Sequence, residues 1–316
     1  RRRPSRSSPR AAAASSSRST TSRLPTRCST PRACGSRAAA WRPWTARSTS
    51  GSAATGGGYE FQPLYANPYN PPYYKELFEN YGFKNYFNQN SYIWRANISE
   101  ANERIFDRAE RLLSIPGYHV ENIDMNNLEE AAENFRLVYN KAWALFSGVK
   151  PMTREEALEM LHEMKPLIDP NIIFFAYFND EPIGFFITVP DLNCIIGRFN
   201  GKFGLWQKLQ LMWELKVRKR SSRIFGIIFG IAPEFHGKGV ESAIMVRYWH
   251  FMMEQQTRYK TLELAWIGDF NPVMNRMIET YVCATRHKVH TTYRYLFDRT
   301  KEFHRCPRLG VKRRYE

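Results

Sequence analysis

The chain has 316 residues, of which 43% are apolar and 15% aromatic, enough to close one large core or two modest ones. Its formal charge is +16, but residues 1 to 58 hold twelve arginines, no lysine and no acid; without them, 34 basic residues face 30 acidic ones, a balance of +4. The basic character therefore belongs to the tail, and nucleic-acid binding is not expected of the folded part.

Residues 1 to 58 read as a disordered Arg/Ser/Ala-rich tail and are left out of the fold reasoning. Their composition fits an organellar transit peptide, a phosphate-neutralising basic arm, or wrong-frame translation of GC-rich DNA. Five cysteines, an odd number without a C-x-x-C pair, support neither a disulfide framework nor a metal site and fit a reducing, cytoplasmic compartment. No apolar run reaches the eighteen residues of a membrane span, so no membrane partner is expected. Hydrolase, NTPase and dehydrogenase motifs are also missing.

Residues 59 to 97 begin with Pro and Asn punctuation. A short helix ending at Gly82 and an extended, alternating stretch to Trp94, read as a strand, follow, too little to bury an apolar face without the rest of the chain. A helix is predicted from Glu103 to Leu113, broken by Pro116 and Gly117, then a strand from Tyr118. Asn127 with Glu130, and Thr153 with Glu156, have capping-box spacing and open two helices. Residues 172 to 190 read as a hairpin turning at Asn179 and Asp180. An amphipathic insertion, about Trp206 to Lys219, precedes a strand from Arg223 to Ile231, and its basic end "KVRKRSSR" reads as a solvated helix end able to attract an acidic partner. A glycine turn, a helix, the strand "TLELAW", a helix over Pro272 to Tyr281 and a closing strand complete an α/β fold with a mixed sheet.

The words "YNKAW" at Tyr139, "DEPIGFFITVPDLN" at Asp180, "APEFHGKGV" at Ala232, "WIGDFNPVM" at Trp266 and "TYRYLFDRTKEFHRCP" at Thr292 follow one another in this order. Together they resemble the GCN5-related N-acetyltransferase superfamily, and more closely a two-lobed bacterial group of that fold known from Bacteroidetes-type genomes. "LFENYGF", Leu77 to Phe83, resembles the last helix of a first lobe. The resemblance implies that residues 59 to 102 are the remnant of that lobe and residues 103 to 310 a complete acetyltransferase-like domain. A truncated lobe beside an acid-free tail favours the wrong-frame reading.

The resemblance also implies a site for acetyl-coenzyme A or another acyl-coenzyme A. Phe229, Gly230 and Ile231 would pair with the pantetheine, and His236, Gly237, Lys238, Gly239, Val240, Glu241 and Ser242 would hold the pyrophosphate, with Asn271 close by. Glycine lets main-chain N–H groups approach a phosphate without a Cβ in the way. Two positions depart from the superfamily pattern: His236 replaces a longer donor, and Glu241 places a carboxylate where it opposes phosphate by roughly 3 kcal/mol before screening.

Acyl transfer to an amine needs a proton acceptor, a polarised thioester carbonyl and often an acid for the thiolate. The superfamily's Tyr acid falls on Ile278 here, and Val282 stands where a helix-ending Gly is usual. Glu234, Asp269 and His236 are candidate catalytic residues by position only. Tyr139, Asn140, Trp143, Asp191 and Asn193 are candidates to line a cleft for a small-molecule or peptide amine, with Trp143 in the core and a turn at Asp191 and Asn193 as the plainer alternative. His287 and His290, three apart on a strand, should face opposite ways and do not suggest a metal site. The function so implied is an acyl-coenzyme A-dependent N-acyltransferase; the alternative is a non-catalytic module of the same fold.

Overall fold

The computed structural model describes residues 51–65, 67–95, 102–143, 149–254 and 258–309. All of these belong to the unit Trp44–Glu316; the tail to residue 50 lies outside the described residues.

In chain order the elements are β1 (Gly51–Gly57), α1 (Tyr74–Tyr81), β2 (Lys84–Arg95), α2 (Glu103–Leu113), β3 (Tyr118–Asn122), α3 (Leu128–Trp143) and α4 (Arg154–Met164). There follow β4 (Phe174–Phe178), β5 (Glu181–Pro190), α5 (Asn193–Ile196), α6 (Leu205–Met212) with a π-helical extension Trp213–Val217, and β6 (Arg223–Ile231). The last are α7 (Val240–Glu254), β7 (Thr261–Gly268), α8 (Pro272–Arg276) with a second π-helical turn Met277–Tyr281, and β8 (Thr285–Arg294). The strands form one mixed sheet in the order β1-β8-β2-β7-β6-β5-β4-β3, in which only β6 and β7 pair in parallel.

Local chemistry sets the element ends. At α3 the Asn127 side chain accepts from the Glu130 amide and donates to the Glu130 carboxylate. Thr153 and Glu156 close a reciprocal box at α4, at 3.2 and 2.9 Å. Such caps stabilise a helix start by about 1 kcal/mol. The β4–β5 hairpin turns through Asn179 (φ 49°) and Asp180 (φ 64°), the left-handed pair of a two-residue type I′ turn, which Asn and Asp tolerate best.

Each sheet face carries its own core. On one, Ile105, Ala109 and Leu112 of α2 and Ala243, Ile244 and Tyr248 of α7 cover Tyr92, Phe186, Ile224 and Leu264. On the other, Ala132, Phe135 and Val138 of α3 and Leu161 of α4 cover Phe175 and Phe185. A smaller cluster of Leu192, Ile195, Phe199, Leu211 and Leu215 anchors the insertion between β5 and β6.

The structure redraws two boundaries. β2 lies inside the sheet, hydrogen-bonded to β7 on one side and β8 on the other, with six consecutive buried residues. The division expected at residue 102 therefore does not separate two bodies, since residues 103–294 alone would leave a gap between β7 and β8. The last part of the expected tail, Gly51–Gly57, pairs with β8 as an edge strand.

Candidate functional site

β6 and β7 run together only from Arg223 to Gly226, opposite Thr261 to Leu264. Beyond that, β6 continues to Ile231 paired with β5, while β7 continues to Gly268 paired with β2. Two parallel strands that part in this way leave one backbone edge of residues 227–230 without a strand partner, and a peptide-like ligand can pair with it; at Ile231 the carbonyl is already taken by His236. Phe229 and Gly230 lie on that stretch. Trp143 reaches it from the end of α3: a Cβ on Gly230 would fall 3.1 Å from the Trp143 indole nitrogen and 2.9 Å from Phe185.

The chain leaves β6 through a 3₁₀ turn, Pro233–Phe235, and enters α7 through Gly237 (φ 75°) and Gly239 (φ 106°). Both conformations are left-handed and favour glycine. Gly239 has a second constraint, because a Cβ there would lie 3.2 Å from the Arg108 carbonyl. The first bond within α7 runs from the Ala243 amide to the Gly239 carbonyl at 3.0 Å. Among the described residues, the amides of Val240, Glu241 and Ser242 thus have no intrahelical acceptor. The Val240 and Ser242 side chains are buried, so these two residues offer only main-chain donors.

Glu241 is not a free acid at this entrance. The Arg108 guanidinium, reaching across from α2, lies 2.7 Å from its carboxylate and stacks over Tyr281 at 5.8 Å. This neutralises the charge expected to oppose phosphate. His236 departs from expectation as well: its Nε2 lies 3.0 Å from the Ile231 carbonyl. A carbonyl only accepts, so Nε2 carries a proton and is already committed to that bond. Lys238 leans over the Phe235 ring at 4.8 Å.

The other candidates are scattered. Glu234 pairs with Lys141 of α3 at 3.5 Å near the turn, and both are exposed. Asp269 is bound by Arg305 at 2.7 Å. Asn271 caps α8, accepting from the Met274 amide at 3.1 Å, which occupies the side chain expected near the cofactor. Asn140 is used structurally, bonded both ways to the Met152 backbone. Tyr139 packs on Phe135, and burial raises its pKa. Ile278, where an acid would fall, is fully buried in the core.

Asp191 and Asn193 do not share a cleft with Trp143. They follow β5 at the end beside Arg223, about seven residues of strand, or ~23 Å, from Gly230. Asp191 is fully buried and ion-paired with Arg223. The Asn193 amide donates to the Pro63 carbonyl at 2.8 Å.

That end of the sheet holds a group the sequence did not disclose. Glu263 of β7 is fully buried against Lys288 and His287 of β8. Arg223 is 3.9 Å away. Residues 58–65 cross over it: Lys288 donates to the Gln62 carbonyl at 3.0 Å, and Phe61 stacks on His287 at 4.4 Å. Burial lifts the Glu263 pKa and lowers that of Lys288, each opposed by the partner's charge. His287 lies 3.3 Å from Glu263, yet burial, with Lys288, Arg95 and Arg223, pulls its pKa down to about 4. It is therefore neutral at physiological pH and forms no ion pair.

A bulge makes this cluster. Ser91 pairs with Lys288 and Tyr92 with Arg286, leaving His287 as the extra residue. His287 consequently meets the covering segment and His290 the Pro68 carbonyl just beyond it, at 3.3 Å, instead of facing opposite ways as strict alternation requires.

The parted parallel strands above a glycine-bearing helix entrance decide the architecture. It is a mixed α/β fold with one splayed parallel pair, the arrangement that the resemblance to the acetyltransferase superfamily implies. Solved structures similar to this chain include a GCN5-related N-acetyltransferase from Sphaerobacter thermophilus, 11% identical, covering 78% of this chain and 60% of that one with a TM-score of 0.45. Another is the C-terminal domain of a lysylphosphatidylglycerol synthetase from Agrobacterium fabrum, described there as putative, 8% identical, covering 71% and 65% with a TM-score of 0.39. No family model matches. Among curated proteins the chain is similar to a bacterial ceramide synthase of Caulobacter vibrioides, 22% identical over 241 residues, covering 75% of this chain and 61% of that protein. It is also similar to the protein YghO of Escherichia coli, 24% identical over 228 residues, covering 70% and 57%. The chain thus spans about three fifths of the length of these curated relatives.

Proposed function

We propose that this acetyltransferase-like chain is an acyl-coenzyme A-dependent N-acyltransferase whose acceptor is a long-chain amine. The observation that carries the first half is the unmatched edge of β6 leading into the free amides of α7. The similarity to a ceramide synthase supports the second half, because a ceramide is an amide of a long-chain amino alcohol.

In this reading the amides of Val240, Glu241 and Ser242 receive the diphosphate, and the backbone of Phe229 and Gly230 pairs with the pantetheine amides. The acceptor nitrogen attacks the thioester carbon, the C–N bond forms as the C–S bond breaks, and the products are an amide and a free thiol. The ammonium proton goes to solvent or to one of two groups near the turn: the exposed Glu234 carboxylate or the His236 Nδ1. Trp143 shields the strand at Gly230. A cytoplasmic location, where acyl-coenzyme A is available, belongs to the same proposal.

The second reading, a non-catalytic binding module, is favoured by one observation: a fully buried Ile278 stands where an acid would protonate the thiolate. Incubation of the chain with a long-chain acyl-coenzyme A and sphinganine separates the two. Amide and free thiol in equal amounts support the enzyme; binding of coenzyme without either product supports the module.

A further inference from the structure

We propose that the insertion between β5 and β6 is a docking surface for an anionic membrane. This goes beyond the acyltransfer reading and stands without it. Leu205, Leu209, Trp213 and Val217 recur every four residues along α6 and its π-helical extension and are 76, 56, 57 and 56% exposed, with Trp206 at 74% beside them. Positions four apart share a helix face. The fold does not need this stripe, since Leu211 and Leu215 of the same helix already fill the cluster with Leu192, Ile195 and Phe199. A second, outward apolar face on a helix that is already packed marks a contact with something else.

The surrounding charge indicates what that is. Residues 198–220 contain seven basic residues and one acid, Glu214, a balance of +6 where all of residues 59–316 carry +4. The remainder is therefore net negative, so this insertion is a distinctly basic segment of residues 59–316, beside a second one at residues 299–316 with seven basic residues to two acids. Glu214 is buried and held by Arg218 and Arg220 at 3.2 and 3.1 Å, so no carboxylate faces outward. Lys202, Lys208 and Lys219 are exposed. Tryptophan and leucine on one side with lysine around them is the composition of a helix lying in the headgroup layer of an anionic bilayer. Thirteen helical residues span about 20 Å, short of the ~30 Å hydrocarbon thickness, so the helix lies on the membrane and does not cross it. A second copy of the chain is disfavoured as occupant, because it would bring two like-charged surfaces together. A membrane partner departs from the expectation of none, which followed from the lack of a spanning apolar run.

The test is flotation of the full 316-residue chain with vesicles of phosphatidylcholine alone or with about 30% phosphatidylglycerol. Binding to the anionic vesicles, weakened by salt, is expected. Leu205→Ser with Trp206→Ser and Leu209→Ser should abolish that gain while thermal unfolding is unchanged, because these side chains lie outside the core. Replacing Lys202 and Lys208 by Gln should lower affinity for anionic vesicles roughly thirtyfold. The arginine-rich tail is common to all variants, so only the differences report on the helix. Equal vesicle binding by the triple serine variant overturns the proposal. So does failure of the wild-type chain to bind, or a concentration-dependent dimer that the serine variant dissociates while vesicles are ignored.

Discussion

The Arg108 guanidinium and the Glu241 carboxylate stand 2.7 Å apart where α2 meets the start of α7, beside the glycines of the turn. Removing the cation exposes the anion to any bound diphosphate. With both side chains partly exposed, screening reduces the repulsion to about 1 kcal/mol, or fivefold in affinity. Calorimetry should show Arg108→Gln binding acetyl-coenzyme A about fivefold more weakly and Arg108→Gln with Glu241→Gln recovering it. Equal affinities in all three proteins would remove Glu241 from the site.

Lys288 is the principal counter-charge of the fully buried Glu263. Deleting one member of a buried pair strands the other, at a cost of about 3–5 kcal/mol, whereas removing both is far milder. Lys288→Met should lower the denaturant midpoint sharply, and Glu263→Gln with Lys288→Met should recover most of the loss. A single variant as stable as wild type would contradict the buried pairing.

His287 is neutral when folded, with its pKa pulled down from 6.5 to about 4. Between these values the unfolded chain takes up a proton that the native chain does not, so stability is complete above pH 6.5 and falls as pH drops toward 4. The loss attributable to this residue is on the order of 3 kcal/mol at most. His287→Phe, which keeps the stack on Phe61, should flatten unfolding free energy between pH 6.5 and 4; an unchanged slope would assign it to other groups.

Phe185 is fully buried between Phe135 and the Gly230 backbone, with ring centroids of the two phenylalanines 5.0 Å apart. Phe185→Ala should cost about 3–5 kcal/mol in chemical denaturation. Because the cavity opens under β6, coenzyme affinity should fall with it, in contrast to a core substitution such as Leu161→Ala beneath α4.

Elements governed by local chemistry were legible in the sequence. The caps at Asn127 and Thr153, the Asn179–Asp180 turn and the glycine-bearing entrance to α7 depend on residues within a few positions of one another and all form, although at Asn127 the Glu130 carboxylate bonds the side-chain amide in place of the backbone N–H of a reciprocal box. Long-range pairing was not legible. Nothing in "NYFNQNSYIWR" says that it inserts between β7 and β8: it reads as an alternating strand with one solvated face, whereas residues 89–94 are buried on both faces. The ion cluster was hidden for a similar reason, since Glu263, Arg223 and Lys288 are 25 to 65 positions apart and a one-residue bulge alters the facing of His287. For Asp191 and Asn193 the sequence leaves open an acceptor cleft or a plain turn; antiparallel pairing with β6 carries them to the far end of the sheet, where the Asn193 backbone amide donates to the Asp191 carboxylate in a turn.

A bound coenzyme would set its diphosphate on the amides of Val240, Glu241 and Ser242. Titration of the chain with acetyl-coenzyme A and with acetyl-pantetheine, which lacks the nucleotide and its phosphates, tests it most directly. Two or three charge-assisted contacts predict about a hundredfold advantage for the coenzyme, removed by Gly239→Val in a protein that still unfolds cooperatively. Equal affinity for the two ligands, or a coenzyme affinity indifferent to Gly239→Val, would contradict the account.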